Sequence, residues 1–468
     1  MKWSEKISLA LYSLFAWMVQ PLLRIKLKLR SRKEPEYGEN IAARFGIYTV
    51  KPSAGWFWIH AVSLGETRAA GILIAQLRVR QPGLRLLLTH GTASGWIAGR
   101  AILTASDHQE WFPWDTKAAT ERFLQHFRPS VGVMLETEVW PNMVQSCSRH
   151  CIPLFLVNAR KCERSFGVAY RRRLLALPAY RALTGVLAQG TSDAARFTAL
   201  GARVISVTGN IKFDAKPLPE QLLQGKAWRR MSSRPVLMLA SSREGEELAF
   251  VNDLVSRRAS TKRPPAFGAG CQILIVPRHT QRIADLVSTF ESRGLTVSCR
   301  SSWDDGPEPA DIWLGDSVGE LNVYYGMGDV ALLGGSFEPF GGQNLIEATA
   351  CGCPIILGPH TFNFEDAARW ALSAGAALSA KDMHGAVDQA LHLIQRPEEL
   401  TSARQHCLAF AGTHHGAADA TANLILDYVD PTSVASTSGQ PSTSRLMDLD
   451  LNLDHGPSRR EVHQPGAS

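Results

Sequence analysis

Residues 334–366 read GGSFEPFGGQNLIEATACGCPIILGPHTFNFED, and this stretch decides the fold class. An apolar strand precedes the first glycine pair, and the second pair, 341–342, leads into a helix that carries Asn344 and Glu347. Glycines let backbone N–H groups approach a ligand, and a helix N-terminus favours negative charge. The pattern predicts an α/β domain that binds a phosphorylated ligand at the carboxyl ends of parallel strands. A carboxylate on the helix suits a sugar hydroxyl, so a nucleotide meets both requirements.

Short apolar runs separated by helical patterns recur along the chain from residue 56. Their apolar residues fall on both faces, which is typical of parallel strands buried between helices. The first half has such runs at residues 56–60, 85–89, 131–136, 153–158, 185–189 and 204–209. The second half has them at residues 235–241, 272–277, 295–299, 311–315, 329–335 and 354–358. We therefore expect two Rossmann-like, doubly wound domains.

The composition of the remaining segments predicts a linker between the two domains and a tail after them. Pro217 and Pro219 interrupt the periodicity between the halves, which places a linker there. The end of the chain is rich in Ser, Thr, Pro and Gly and lacks an apolar face, so we expect it to be disordered. The predicted parts are an anchor and basic segment at 1–35, a first domain at 36–212, a linker at 213–233, a second domain at 234–428 and a tail at 429–468.

The charge and cysteine patterns narrow the choice of partners. Lys and Arg outnumber Asp and Glu by 50 to 43, and the net charge of +7 favours nucleic acid, a membrane surface or an anionic substrate. The sequence lacks a zinc-knuckle spacing, an aromatic RNA-binding signature and a long Lys/Arg run, which argues against nucleic acid. None of the eight cysteines forms a Cys-x-x-Cys pair, so we expect free thiols in a reducing cytoplasm and no metal site.

The N-terminal run 7–23 contains no charged residue and has the length of a short membrane span. A cluster of cations without an acid follows at 24–33 and marks the cytoplasmic side. We expect an N-terminal anchor or interfacial helix on membrane lipids, with the body of the protein in the cytoplasm. A buried amphipathic helix of the first domain is the alternative.

Glu66 ends the motif Ser63-Leu-Gly-Glu66, which follows the first predicted strand and opens a helix. A carboxylate at this edge of the sheet can accept a proton from an incoming hydroxyl group. The alternative is a purely structural role, because acids favour the first turn of a helix.

Further charged residues follow the other strands of the first half. Glu136 and Glu138 close an apolar strand, where a carboxylate is costly unless it is paired or functional. Arg160 follows the next strand and suits the phosphates of an anionic acceptor. Lys212 follows the last strand, near the predicted cleft, where it could neutralise a donor carboxylate or a leaving phosphate. A capped loop, a solvated charged face and a linker lysine are the respective alternatives.

The order of these motifs resembles that of the 3-deoxy-D-manno-octulosonate (Kdo) transferases, the membrane-associated glycosyltransferases of lipid A assembly. The resemblance extends from the apolar N-terminus to about residue 425. The motifs that carry it, besides the 334–347 segment, are SLGE (63–66), ETEVWPN (136–142), NAR (158–160), GNIKFD (209–214), EGEE (244–247), PRH (277–279), GEL (319–321) and GPHTFNF (358–364).

The resemblance implies a GT-B architecture, in which two Rossmann-like domains face each other across a cleft. It implies CMP-Kdo as the donor substrate and a lipid A precursor of the tetraacyldisaccharide 4'-bisphosphate type as the acceptor. It also implies a signal-anchor on the cytoplasmic face of the bacterial inner membrane, in contact with its lipids. No cofactor, metal ion or nucleic acid is part of this expectation.

The resemblance also implies roles for individual residues. Glu66 is the expected general base of an inverting transfer, and Glu136 and Lys212 are the expected stabilisers of the transition state. The expected CMP-binding residues are Pro277, Arg278, Val318, Gly319, Glu320, Asn344, Leu345, Ile346 and Glu347. Two alternatives stay open: another GT-B enzyme, such as a UDP-sugar transferase or epimerase, and a membrane-bound nucleotide-binding scaffold without activity.

Overall fold

The computed structural model describes residues 1–259 and 270–429, and in them two parallel seven-stranded sheets. The tail predicted to be disordered lies outside the described residues from position 430 onward. Residues up to Ile425 form one compact unit that contains both sheets, and a second unit begins at Leu426.

The first sheet has the strand order β3-β2-β1-β4-β5-β6-β7. Its strands are β1 (Trp56–His60), β2 (Leu86–His90), β3 (His108–Trp111), β4 (Pro129–Leu135), β5 (Leu154–Ala159), β6 (Gly185–Ala188) and β7 (Val204–Val207). The strand order turns back at β1 and β4, which is where an open parallel sheet places a crevice.

The second sheet has the order β10-β11-β9-β8-β12-β13-β14. Its strands are β8 (Val236–Ser242), β9 (Gln272–Pro277), β10 (Val297–Cys299), β11 (Ile312–Leu314), β12 (Val330–Leu333), β13 (Ile355–Leu357) and β14 (Ala377–Ser379). Along β8, Val236 and Met238 pack into one apolar core while Leu237 and Leu239 pack into another. Both faces of this strand are therefore covered, and the prediction of doubly wound α/β domains is confirmed.

Helices connect the strands in both domains. Those of the first half are α1 (Trp3–Met18), α2 (Gln20–Arg30), α3 (Leu64–Arg80), α4 (Ala93–Arg100), α5 (Lys117–Phe127), α6 (Pro141–Arg149), α7 (Glu163–Arg171), α8 (Arg173–Ala182) and α9 (Thr191–Ala199). Those of the second half are α10 (Pro219–Met231), α11 (Glu246–Ala259), α12 (Ile283–Glu291), α13 (Leu321–Met327), α14 (Ile346–Ala350), α15 (Glu365–Ser373), α16 (Met383–Ile394), α17 (Pro397–Thr413) and α18 (Ala417–Val429).

The N-terminus differs from the single apolar helix that the run 7–23 predicts. The run is divided between α1 and α2, whose axes meet at 47°. Pro21 stands in the first turn of α2, where its missing N–H interrupts the helical hydrogen bonds to the preceding turn. Within residues 1–259 and 270–429, no single helix has the length and apolarity to cross a bilayer, although this bent pair meets both criteria together.

Two segments tie the domains together. The predicted linker contains α10, which begins at Pro219 and packs against α13 of the second domain. At the other end, the start of α18 returns to the segment just after the first domain, where the Gly416 and Ala418 amides each donate to Asp214 at 2.6 Å. These contacts hold α10 against the second domain and the start of α18 against the end of the first half.

Candidate active site

The loops at the carboxyl edges of the two sheets enclose a common cleft. Glu136, Arg160 and Lys212 of the first domain line one cavity together with residues 362–367 and Trp370 of the second. The Arg160 guanidinium donates a hydrogen bond to the Asn363 carbonyl across this cleft. This bond uses only Nη1 of Arg160, so a contact with an acceptor phosphate stays a prediction.

Glu66 lies in the first turn of α3 and is 8% exposed. The N-cap Ser63 accepts a hydrogen bond from the Glu66 amide at 3.4 Å, and the Val62 amide donates to Glu66 Oε2 at 2.6 Å. Burial, followed by the nearby Glu136 carboxylate, raises the pKa of Glu66 to about 8. The carboxylate therefore holds the loop that precedes the N-cap Ser63, and it also has the pKa of a base that works near neutral pH.

Glu136 and Lys212 form an ion pair at the floor of the cleft. Lys212 Nζ lies 2.5 Å from Glu136 Oε1, with 22% and 14% of the two side chains exposed. Glu136 follows β4 in the left-handed backbone region, at φ 56°, which is unusual for a residue with a side chain. The amide of Glu136 donates to the Val157 carbonyl at 3.0 Å and holds this turn against β5. Sequence reasoning chose both residues singly, and the structure brings them together.

Glu138 adds a second carboxylate beside this pair. Trp140 Nε1 donates to Glu138 Oε2 at 2.7 Å. Burial is the main cause that raises the pKa of Glu138, and the charge of Glu138 in turn contributes to the raised pKa of Glu66. The carboxylates of the turn 136–138 thus add to the effect of burial, which is the main cause of the raised pKa of Glu66.

The backbone amides of the Gly-Gly-Ser turn after β12 were expected to be open to a phosphate. That expectation is wrong, because these amides donate hydrogen bonds to the carboxylate of Glu246. Glu246 accepts from the amides of Gly335 at 2.7 Å, Phe337 at 3.1 Å and Glu338 at 3.4 Å. Glu246 is fully buried, so this turn is held from inside the domain by the first turn of α11. A buried anion already satisfies these donors, and a phosphate has to find others.

Glu347 lies in the first turn of α14, the helix that follows the second glycine pair, and faces the cleft. Its carboxylate lies 3.6 Å from the Arg68 guanidinium of α3. Burial raises the pKa of Glu347, and the charges of Arg68 and Arg278 oppose this rise. Arg278 follows β9 and is exposed. Two arginines, one from each domain, therefore surround the carboxylate that the sequence assigned to a sugar hydroxyl.

The neighbours of Glu347 differ in what they can offer a ligand. Leu345 and Ile346 are 1% exposed and pack into the core of the second domain, so only their backbone is available. Asn344 Oδ1 accepts from the Ile346 amide at 3.2 Å and caps the start of α14. Pro277, at the end of β9, is also buried. Leu345, Ile346 and Pro277 thus shape the site without polar side chains, and Asn344 is half-buried with its Oδ1 already used.

The remaining predicted residues lie at the turn before α13. Val318 is 78% exposed, and Gly319 adopts φ 91°, which favours glycine. Glu320 accepts from Arg300 at 3.0 Å and from Ser317 Oγ at 2.5 Å. The turn is thus fixed by side chains on one side and open to solvent at Val318.

Sequence reasoning missed Arg68 and the role of Glu246. Arg68 stands two residues after Glu66, and the helical period places it on the opposite side of α3. That spacing alone could have shown that the helix presents a base on one face and a cation on the other. The bond between Glu246 and the Gly335 amide spans 89 positions, and no local pattern predicts it.

Comparisons with known proteins place this chain among enzymes of one kind. A sequence model described as 3-deoxy-D-manno-octulosonic-acid transferase (kdotransferase) matches residues 39–215. The 3-deoxy-D-manno-octulosonic acid transferase of Bordetella pertussis is 41% identical over 432 residues, which cover 89% of this chain and 99% of that protein. The protein of the same name from Haemophilus influenzae is 30% identical over 395 residues, covering 83% of this chain and 91% of its own length.

Solved structures show a similar arrangement of the two domains. The UDP-GlcNAc 2-epimerase of Neisseria meningitidis superposes with a TM-score of 0.53 at 12% identity, covering 79% of this chain and 99% of that one. A glycosyltransferase from Rickettsia africae gives a TM-score of 0.53 at 11% identity, covering 82% and 100%. At such low identity the likeness concerns the fold alone, and it supports the expected GT-B type.

Proposed function

The chain belongs to the 3-deoxy-D-manno-octulosonic acid (Kdo) transferase family, and we propose that it moves Kdo from CMP-Kdo to a lipid A precursor with Glu66 as the base. It is a glycosyltransferase of lipopolysaccharide synthesis. The observation that carries the mechanism is the buried Glu66 carboxylate beside the Glu136–Lys212 ion pair, whose surroundings raise its pKa to about 8.

Glu66 starts the reaction by accepting a proton from an acceptor hydroxyl. Oε2 is held by the Val62 amide, and Oε1 receives no hydrogen bond from the part of the chain that the structure describes. The deprotonated oxygen attacks the anomeric carbon of Kdo from the face opposite the phosphate. The bond between this carbon and the phosphate oxygen breaks, and CMP departs with the electron pair, so the configuration inverts.

The Glu136–Lys212 pair stabilises the charges that develop during this step. Positive charge grows at the anomeric carbon as the leaving bond lengthens, and negative charge grows on the phosphate. A carboxylate and an ammonium group held 2.5 Å apart supply both signs at fixed positions before the reaction begins. Because the pair is already formed, neither side chain has to be ordered during the step.

The donor nucleotide is proposed to bind on the second domain. Glu347 suits the ribose hydroxyls, which donate hydrogen bonds to a carboxylate, and Arg278 suits the phosphate. Val318 and Gly319 offer an exposed turn for the base, with Glu320 holding that turn in place. The backbone around Asn344, Leu345 and Ile346 and the ring of Pro277 complete the wall of the site. Since Glu246 occupies the Gly-Gly-Ser amides, side chains carry more of the phosphate binding than the sequence suggested.

The acceptor carries acyl chains, and the N-terminus offers a surface that suits a membrane. Trp3, Leu11, Phe15 and Trp17 of α1 are each more than half exposed. The chain that follows α1 carries exposed cations in α2 and the next turn: Lys26, Lys28, Arg32 and Lys33. Exposed apolar side chains beside cations are typical of proteins that bind anionic lipid. We place the enzyme on the cytoplasmic face of the inner membrane for this reason.

The inner face of α1 makes polar contacts along its length. Glu5 binds Arg181 at 2.5 Å, and Ser13 Oγ lies 2.8 Å from Asn142 Oδ1. A helix that keeps both contacts lies along the first domain, so we propose that it rests in the membrane interface rather than spanning the bilayer.

The membrane proposal is tested by replacing Leu11, Phe15 and Trp17 with Ser and measuring flotation with anionic vesicles. The variant should lose most of its vesicle binding and keep its fold by circular dichroism. Replacing the exposed Leu218 and Leu223 of the second half with Ser is the control and should leave flotation unchanged. Undiminished flotation of the α1 variant would contradict the assignment.

The donor is tested with the purified full chain and an acylated disaccharide bisphosphate. We expect product with CMP-Kdo and none with UDP-sugars. Turnover or epimerisation of a UDP-sugar without transfer from CMP-Kdo would identify another GT-B enzyme. Nucleotide binding without any turnover would identify a scaffold. Either result would overturn the proposal.

A further inference from the structure

Arg68 is a cation of the first domain that reaches the nucleotide half of the cleft. It stands on α3, and its guanidinium lies 3.6 Å from the Glu347 carboxylate of α14. This separation is longer than a hydrogen bond, and the side chain is 52% exposed. Within the described residues the guanidinium donates no other hydrogen bond, so its N–H groups are available to a ligand.

The charges around Arg68 favour an anion. Arg68 and Arg278 stand near one carboxylate, that of Glu347, which leaves one positive charge in excess. Arg243 of the loop after β8 also lies near Arg278, but Glu244 pairs with it at 3.0 Å, so the excess charge comes from Arg68 and Arg278. Arginine presents its donors as a planar fork that matches the oxygens of a phosphate. When Glu347 accepts hydrogen bonds from a ribose, the phosphate on that ribose comes within reach of the same guanidinium.

We propose that Arg68 binds the phosphate of the donor nucleotide, so that the helix carrying Glu66 also holds the donor across the cleft. This proposal rests on the donor proposed above. Glu66 and Arg68 are two residues apart, about 200° around the helix axis. One face of α3 therefore positions the base, and the other closes the first domain onto the nucleotide.

The matched control lies on the same helix. Arg80, at the end of α3, pairs with Asp419 and donates to Asn423 at 2.5 Å, so it also links the first domain to the returning chain. These contacts are far from the nucleotide along α3, about 18 Å from Arg68 at 1.5 Å per residue. Arg80→Gln removes an ion pair of the same kind without touching the proposed phosphate position.

The test compares the binding of CMP and cytidine by titration calorimetry on the full chain, because the two ligands differ only in the phosphate. The advantage of CMP over cytidine should fall roughly tenfold in Arg68→Gln, since an ionic hydrogen bond is lost. Arg68→Lys should recover part of it, and Arg80→Gln should match the wild type. Steady-state kinetics should show a raised KM for CMP-Kdo in Arg68→Gln.

The outcomes separate this inference from the proposed function. An unchanged CMP-to-cytidine ratio in Arg68→Gln, with CMP bound tightly by the wild type, overturns the role of Arg68 alone. Failure of the wild type to bind CMP overturns the donor and this inference together. Equal losses in Arg68→Gln and Arg80→Gln would mean that domain packing is responsible and would also overturn it.

Discussion

The raised pKa of Glu66 makes the rate of the enzyme depend on pH in a defined way. A general base acts only when ionised, and a pKa of about 8 means that about 9% of Glu66 is ionised at pH 7 and about 1% at pH 6. An ordinary glutamate, with a pKa of 4.5, is fully ionised at both. We therefore expect kcat/KM for the acceptor to rise about tenfold per pH unit below 8 and to level off above it.

The assay is initial-rate transfer from CMP-Kdo to the acylated disaccharide between pH 5.5 and 9.5, with CMP affinity measured across the same range. The CMP affinities distinguish a pH effect on the ionisation of Glu66 from a pH effect on binding of the nucleotide. A second variant tests the physical cause: Glu138→Gln removes a negative charge that raises the pKa of Glu66, so the midpoint should move to lower pH. A profile that is flat from pH 6 to 8 would refute the assignment of Glu66 as a buried base.

Stability provides an independent measurement of the same pKa. Below pH 4.5 the carboxyl is protonated in the folded and unfolded chain alike, and its burial carries no ionisation penalty. Between pH 4.5 and 8 the unfolded chain ionises first, so the folded state loses stability as pH rises, by at most about 5 kcal/mol above pH 8. Glu66→Gln should thus be more stable than the wild type in urea at pH 9, with the difference shrinking towards pH 5. A difference that does not change with pH would contradict the raised pKa.

Three further predictions concern the surroundings of Glu66. Lys212→Met should lower kcat by roughly 100-fold, and adding Glu136→Gln should cost less than the sum of the single losses, because the residues act as a pair; additive losses in steady-state assays would argue against this. Glu246→Ala should lower the free energy of unfolding by about 2–4 kcal/mol because buried loop amides lose their acceptor, while the exposed Glu244→Ala should change it by less than about 0.5 kcal/mol. Turnover should persist in EDTA, since Lys212 and Arg278 are the proposed partners of the leaving phosphate; loss of activity that Mg²⁺ restores would contradict that proposal.

The sequence predicted the interior strands of both sheets and two of the four edge strands, β7 and β10. Interior strands such as β1 and β9 are apolar on both faces, and their bounds agree with the predicted 56–60 and 272–277. The edge strands β3 and β14 were not predicted. The former reads His-Gln-Glu-Trp, and the latter is three residues long and mostly exposed. An edge strand pairs on one side only and can be short or polar, and periodicity does not reveal an edge strand of that kind.

At the candidate site, local motifs were sufficient to choose residues but not to pair them. Glu66, Glu136 and Lys212 each follow a strand, and the common edge of the sheet explains why they meet. The occupation of the Gly-Gly-Ser amides by Glu246 depends on the pairing of β8 with β12, which no local pattern encodes. The contact between Arg68 and Glu347 depends on the placement of two domains and is equally invisible in the sequence.

The most direct test of the account measures the transfer product and CMP binding side by side for the wild type and Glu66→Gln. With CMP-Kdo and the acylated disaccharide, mass spectrometry should show that the wild type adds Kdo to the acceptor. Glu66→Gln should bind CMP with unchanged affinity and form no detectable product. Substantial Kdo transfer by Glu66→Gln would contradict the central claim that this buried carboxylate is the base.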